Sequence, residues 1–203
     1  MNVLNRNITN IFFIFILAHL IIWTAVPTIT NKNLPLDVIE ALAWGSNLDW
    51  GFNKHPPGSA FFPEMFFQIF GAQDWAFYLL SQIFVVIAFF FVFKLSNEIF
   101  KNIKLGLISV LLLESIYFFN FTTPEFNVNV CQLPFWALTV YYSWKIYNAK
   151  NIKFFDCFFI GPLIVSFDFT TDLDIFLEVF LTSLILVLMT FFFVFVTLGI
   201  SLN

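Results

Sequence analysis

The sequence predicts an all-α polytopic transmembrane helix bundle of about five to six spans, and three observations carry that reading. First, 60% of the 203 residues are hydrophobic and only 11% are charged, with a mean hydropathy of +0.89, which excludes an ordinary soluble domain. Second, several apolar runs reach roughly the 20 residues that a helix needs to cross a bilayer core. Third, cationic side chains collect in the links after alternate runs, the pattern that orients helices in a membrane. The net charge of −4 comes with no basic patch, so nucleic acid is not an expected partner. Cys131 and Cys157 both lie in apolar segments, and neither a disulfide framework nor a metal site follows from them. The 33 phenylalanines read as lipid-facing filler where leucine is usual.

Met1 to Asn10 is polar, with Arg6 its only charge, and Ile11 to Pro27 is an apolar first span interrupted only by His19. A signal peptide is the alternative for this start, but the run is long and no small-x-small cleavage site follows Ala25. The polar stretch Leu34 to Pro63 comes next. Within it, Asp37 to Trp44 and Ser59 to Phe70 carry helical spacing. In the second of these Phe62, Met65, Phe66 and Ile69 recur on one face, away from Glu64 and Gln68. Both fit short juxtamembrane helices lying in the interface. Trp75 to Phe93 is the second span, with Asp74 placed to cap it. Leu105 to Phe121 is the third and carries Glu114. A polar turn then leads into a fourth span from Val128 to about Trp144. Phe154 to Thr171 reads as a fifth span weakened by Asp156, Asp168 and the Gly161-Pro162 break, and Val179 to Leu202 as a sixth.

With the N-terminus in the cytoplasm, Arg6, Lys94, Lys101, Lys104, Lys145, Lys150 and Lys153 all face it, seven of the nine basic residues. The exceptions, Lys32 and Lys54, flank or enter the Leu34–Pro63 loop, which is then external or periplasmic. His19 and Glu114 are ionisable groups inside spans, at similar depth when each residue rises ~1.5 Å. A buried hydrogen-bonded pair is the expected reading, and a proton relay is the alternative.

The loop holds the chemistry. Asp37-Val-Ile-Glu40 fits a capping box, in which Asp37 accepts a backbone N–H and Glu40 reaches back. It also fits a carboxylate that takes a proton from an attacking hydroxyl or amine. Lys54 and His55 read either as solvated loop residues or as phosphate contacts held at a set angle by Pro56-Pro57. Glu125, Asn127 and Asn129 fall in the next external turn, where helix-start chemistry explains them as well as a site does.

The ordered set Asp37-Val-Ile-Glu40, Ala43-Trp44-Gly45 and Lys54-His55-Pro56-Pro57 resembles the first external loop of polyprenyl-phosphate-sugar glycosyltransferases. These are the multi-pass enzymes similar to protein O-mannosyltransferases and aminoarabinose lipid A transferases. The resemblance covers about residues 8–148 and leaves 149–203 as divergent spans of a single transmembrane domain. It implies a GT-C-like N-terminal half, with catalytic Asp37 and, as the nearest second acid, Glu40, because Val38 stands where relatives often carry one. It implies donor-phosphate binding by Lys54 and His55, and a possible second-loop contribution from Glu125, Asn127 and Asn129. The function implied is sugar transfer, with inversion, from a polyprenyl-phosphate donor to a glycan, lipid or protein acceptor on the outer face of the inner membrane. No metal and no cofactor beyond the lipid-linked donor is called for. Relatives carry about a dozen spans, so the chain is expected to be truncated, with a second polypeptide supplying the missing helices or with no activity alone. The alternatives are a non-enzymatic transporter subunit, an assembly partner, or an inactive gene remnant.

Overall fold

The computed structural model describes residues 3–47 and 57–148, and these are helical with irregular links. Six helices follow in order: α1 (Val3–Thr30), α2 (Leu36–Gly45), α3 (Gly58–Phe70), α4 (Asp74–Phe100), α5 (Ile103–Glu114) and α6 (Val128–Tyr147). A single 3-10 turn, Tyr117–Phe119, separates the last two. The regions expected to form the fifth and sixth spans lie outside the described residues.

The helices α1 and α4 are each long and apolar enough to cross a membrane. The 28 residues of α1 reach about 42 Å, beyond a hydrocarbon core of about 30 Å. The helix starts eight residues before the expected span, because its first polar turns continue the same ladder. The sequence of α4 is apolar on every side, and that fits its place: it packs against α1, α3, α5 and α6. Antiparallel contact with α1 runs through the stacked pair Phe12–Phe93 at 4.0 Å and Phe15–Phe89 at 6.3 Å. At the far end Asn31 Nδ2 donates to the Tyr78 hydroxyl at 3.1 Å. Parallel contact with α6 runs from Phe84–Phe135 to Phe91–Tyr141. The return helix α5 approaches α4 closely at Gly106, where a Cβ would lie 3.1 Å from the Phe93 carbonyl oxygen. Ser96 and Ser109 hydroxyls meet 2.7 Å apart beside it.

Phenylalanine does not serve only as lipid-facing filler. Phe12, Phe77, Phe84, Phe89, Phe93 and Phe126 are buried in the common core with Val38, Leu80, Val85, Val110 and Val130. Each ring removes a large apolar area from its surroundings and fills the gap between helices at edge-to-face or stacked separations.

The expected third span is the main departure. The helical ladder of α5 stops at Glu114, about 18 Å from its start, although the apolar run continues to Phe121. Backbone groups freed by this break are met locally. Asn120 Nδ2 donates to the Glu114 carbonyl at 2.6 Å, Asn120 Oδ1 accepts from the Phe121 N–H, and the Ser81 hydroxyl donates to the Thr123 carbonyl. Non-helical backbone in an apolar setting persists only where such partners exist.

These directions gather like charges. Arg6, Lys94, Lys101, Lys104 and Lys145 fall at one end of the bundle, whereas Asp37, Glu40, Glu64, Asp74 and Glu125 fall at the other. Lys32 is the one described cation at the acidic end.

Candidate functional site

The acidic end is built by α2, α3 and the link before α6. Pro35, not Asp37, occupies the N-cap of α2, and no side chain of the helix caps it. The expected capping box therefore does not form: Pro35, with φ −57° and ψ 153°, holds the N-cap two residues before Asp37, and Asp37 lies inside the first turn. The N–H of Asp37 instead donates to Glu125 Oε1 at 3.3 Å, across 88 residues of sequence. A carboxylate there satisfies one of the orphan donors of the helix and faces the positive end of its dipole. The neighbours in sequence, Val38 and Phe126, are 1% and 0% exposed in the shared core, and they hold the two loops in register. The structure thus brings Asp37 and Glu125 together.

Along α2, Val38, Ala41 and Gly45 are buried, and Asp37, Glu40 and Trp44 line the adjacent half-buried strip. The Trp-Gly element has a packing reason. Gly45 meets α3 so closely that a Cβ would sit 2.6 Å from the Ala60 carbonyl oxygen. In α3, Ser59, Ala60 and Pro63 face this contact, and Phe62 packs edge-on to Phe84 at 4.9 Å. Met65, Phe67, Ile69 and Phe70 are exposed. Gln68 Nε2 donates to Glu64 Oε1 at 2.6 Å on the polar flank.

Lys54 and His55 lie outside the described residues. Asn127 caps α6 by accepting the Val130 N–H at 3.1 Å, which is the helix-start role open to it. Asn129 is exposed on the first turn of α6. Asp74 does not cap α4; Gln73 holds that position without a side-chain bond. Among the described residues no cluster of three potential metal ligands occurs.

Beneath the site runs a buried polar chain. His19 Nδ1 lies 2.7 Å from Glu114 Oε2, a close contact that does not align as a hydrogen bond. Trp23 Nε1 donates to Glu114 Oε1 at 3.2 Å. His19 Nε2 is 3.0 Å from Gln82 Oε1, and Gln82 Nε2 reaches Thr123 Oγ1 at 3.4 Å. The structure brings His19 and Glu114 together as expected, but as a close contact rather than the expected buried hydrogen bond, and the network also takes in Trp23, Gln82 and Thr123. Gln82, an amide in the middle of an apolar run, was the sequence signal for the missing member.

No curated protein and no solved structure matches the chain. The family model described as dolichyl-phosphate-mannose-protein mannosyltransferase matches residues 54–166. The match includes Lys54, His55, Glu125, Asn127 and Asn129 and begins after Asp37 and Glu40. It also extends past residue 148, where the sequence resemblance was expected to fade. A helical chain with apolar helices of spanning length, matched over more than half its length, belongs to the dolichyl-phosphate-mannose-protein mannosyltransferase family.

Proposed function

We propose that this chain is a membrane glycosyltransferase that moves a sugar from a polyprenyl-phosphate donor to an acceptor on the outer face. The observation that supports the reading most directly is the bond from the Asp37 N–H to Glu125 Oε1, which joins the two acidic loops at one end of the bundle. Asp37 is the general base. As an acceptor hydroxyl attacks the anomeric carbon, its proton passes to the Asp37 carboxylate and the bond from that carbon to the donor phosphate oxygen breaks. Attack opposite the leaving group inverts the anomeric centre. Lys54, with His55, pairs with the lipid phosphate as negative charge grows on it. Glu125 holds the first turn of α2 and so positions Asp37, and Glu40 lines the same strip one turn on. The basic end faces the cytoplasm, and the loop from Leu34 to Pro63 faces outward.

The test is Asp37→Asn in this chain grafted in place of the matching half of a complete, active relative, reconstituted with a radiolabelled polyprenyl-phosphate sugar. The substitution keeps size and helix compatibility but removes basicity. Transfer should fall by roughly 10²- to 10⁴-fold, the worth of a positioned acid–base group, with the melting temperature unchanged. Lys54→Gln should instead raise the donor concentration needed for half-maximal rate. Wild-type turnover in Asp37→Asn would remove the central residue of the assignment.

A further inference from the structure

The opposite end of the bundle carries a second arrangement. Lys94 Nζ on α4 lies 4.9 Å from the centre of the Phe90 ring and 5.9 Å from that of Tyr141. Lys145 Nζ on α6 lies 5.6 Å from the centres of both Tyr141 and Tyr142. Two ammonium groups from two parallel helices therefore converge on one ring. That ring is fixed: Tyr141 is buried, and its hydroxyl donates to Glu98 Oε1 at 2.8 Å.

Each cation gains from the negative face of an aromatic ring, but gathering two of them raises their mutual repulsion. Among the described residues no carboxylate lies within 4 Å of either ammonium. Glu98, the acid tied to this cluster, has one oxygen engaged by the Tyr141 hydroxyl. An external anion removes the repulsion. A phosphate suits the task because its several oxygens accept from ammonium groups arriving along different directions.

We propose that the paired ends of α4 and α6 bind the phosphate of an anionic lipid headgroup. Lys94 sits six residues before the end of α4, about 9 Å along the axis. Its ammonium thus stands where a spanning helix leaves the apolar layer. Ile99, Phe100 and Val140 are exposed around it and offer apolar surface to acyl chains. A free phosphate gains only the exposed, salt-screened cations. A lipid adds apolar contact and arrives at the local concentration of the leaflet. Basic clefts between helix ends are suited to such headgroups. The site does not depend on the catalytic assignment at the acidic end.

Native mass spectrometry of the whole protein, released from mixed micelles of phosphatidylglycerol and phosphatidylcholine, tests the proposal. Wild type should retain phosphatidylglycerol in preference. Lys94→Gln/Lys145→Gln should weaken that retention by about fivefold per lysine, roughly 25-fold together, the usual value of a lysine near an anionic lipid surface. Lys101→Gln/Lys104→Gln removes the same charge from the same end and should change retention less than twofold. Tyr141→Leu keeps the charge but removes the shared ring, and should also weaken retention, whereas Tyr141→Phe should not. Equal loss in the two double-lysine variants would reduce the effect to general charge and overturn the site. Displacement of the lipid by excess inorganic phosphate would assign the site to a free anion and overturn the lipid reading. Unchanged retention in Lys94→Gln/Lys145→Gln would overturn both.

Discussion

The contact between α2 and α3 is tight enough for a single methyl group to test whether it positions Asp37. In Gly45→Ala the new Cβ would stand 2.6 Å from the Ala60 carbonyl oxygen and 2.8 Å from Glu64 Cβ. Neither obstacle is the end of a flexible side chain, so no rotamer change clears it. The two helices must separate by several tenths of an ångström, and overpacking of this kind costs about 1–3 kcal/mol. For a chain of this size each kcal/mol lowers the melting temperature by about 2–4 °C. Purified protein in detergent, followed by tryptophan fluorescence on heating, should show that loss. Sugar transfer by the same variant, grafted in place of the matching half of an active relative, should fall as well, because α2 carries the proposed base. Ala43→Ser, on the exposed face of the same helix, should change neither reading. A Gly45→Ala protein that melts and turns over like wild type would refute the close approach and its link to the site.

Removing Glu114 strips both His19 and Trp23 of a partner. Glu114→Ala should therefore cost about 3 kcal/mol of stability, the low end for breaking a buried pair, since its side chain is 24% exposed. Glu114→Gln, which can still accept from Trp23, should cost measurably less in the same unfolding assay. Asn127→Ala removes the cap of α6 and should destabilise by about 1 kcal/mol, without the large rate loss expected of a catalytic group. For orientation, a cysteine at exposed Ser46 should react with an impermeant thiol reagent from outside intact cells. One at exposed Lys104 should react only after permeabilisation, and the reverse pattern would invert the proposed topology.

Much of the local structure was legible. Hydrophobic spacing placed α2 and α3 within two residues of their observed bounds, and equal depth paired His19 with Glu114. Long-range ties were not legible. Nothing near Asp37 announces that its N–H is met by Glu125, because the partner is 88 residues away and the local Asp-x-x-Glu spacing offers a competing explanation. Phenylalanine was misread because lipid and protein core accept the same apolar ring, so composition cannot say which one it meets. The end of α5 was missed for a related reason. Gly106 stands at the start of the run, but no glycine or proline follows it before Phe121 to mark the break, and the helix yields there to bonds made by Ser81 and Asn120 after the chain has folded back.

The opposed charges at the two ends of the bundle couple this protein to the electrical state of its membrane. Each elementary charge moved across the bilayer exchanges about 2.3 kcal/mol of work per 100 mV. Under an inside-negative potential, carrying the carboxylates of Asp37, Glu40, Glu64, Asp74 and Glu125 outward releases electrical energy, and carrying Arg6 and the lysines of the other end outward consumes it. In the proposed orientation, an energised membrane therefore draws the acidic loops across and holds the basic end back. Collapsing the potential during synthesis should slow that translocation even though every hydrophobic segment is unchanged.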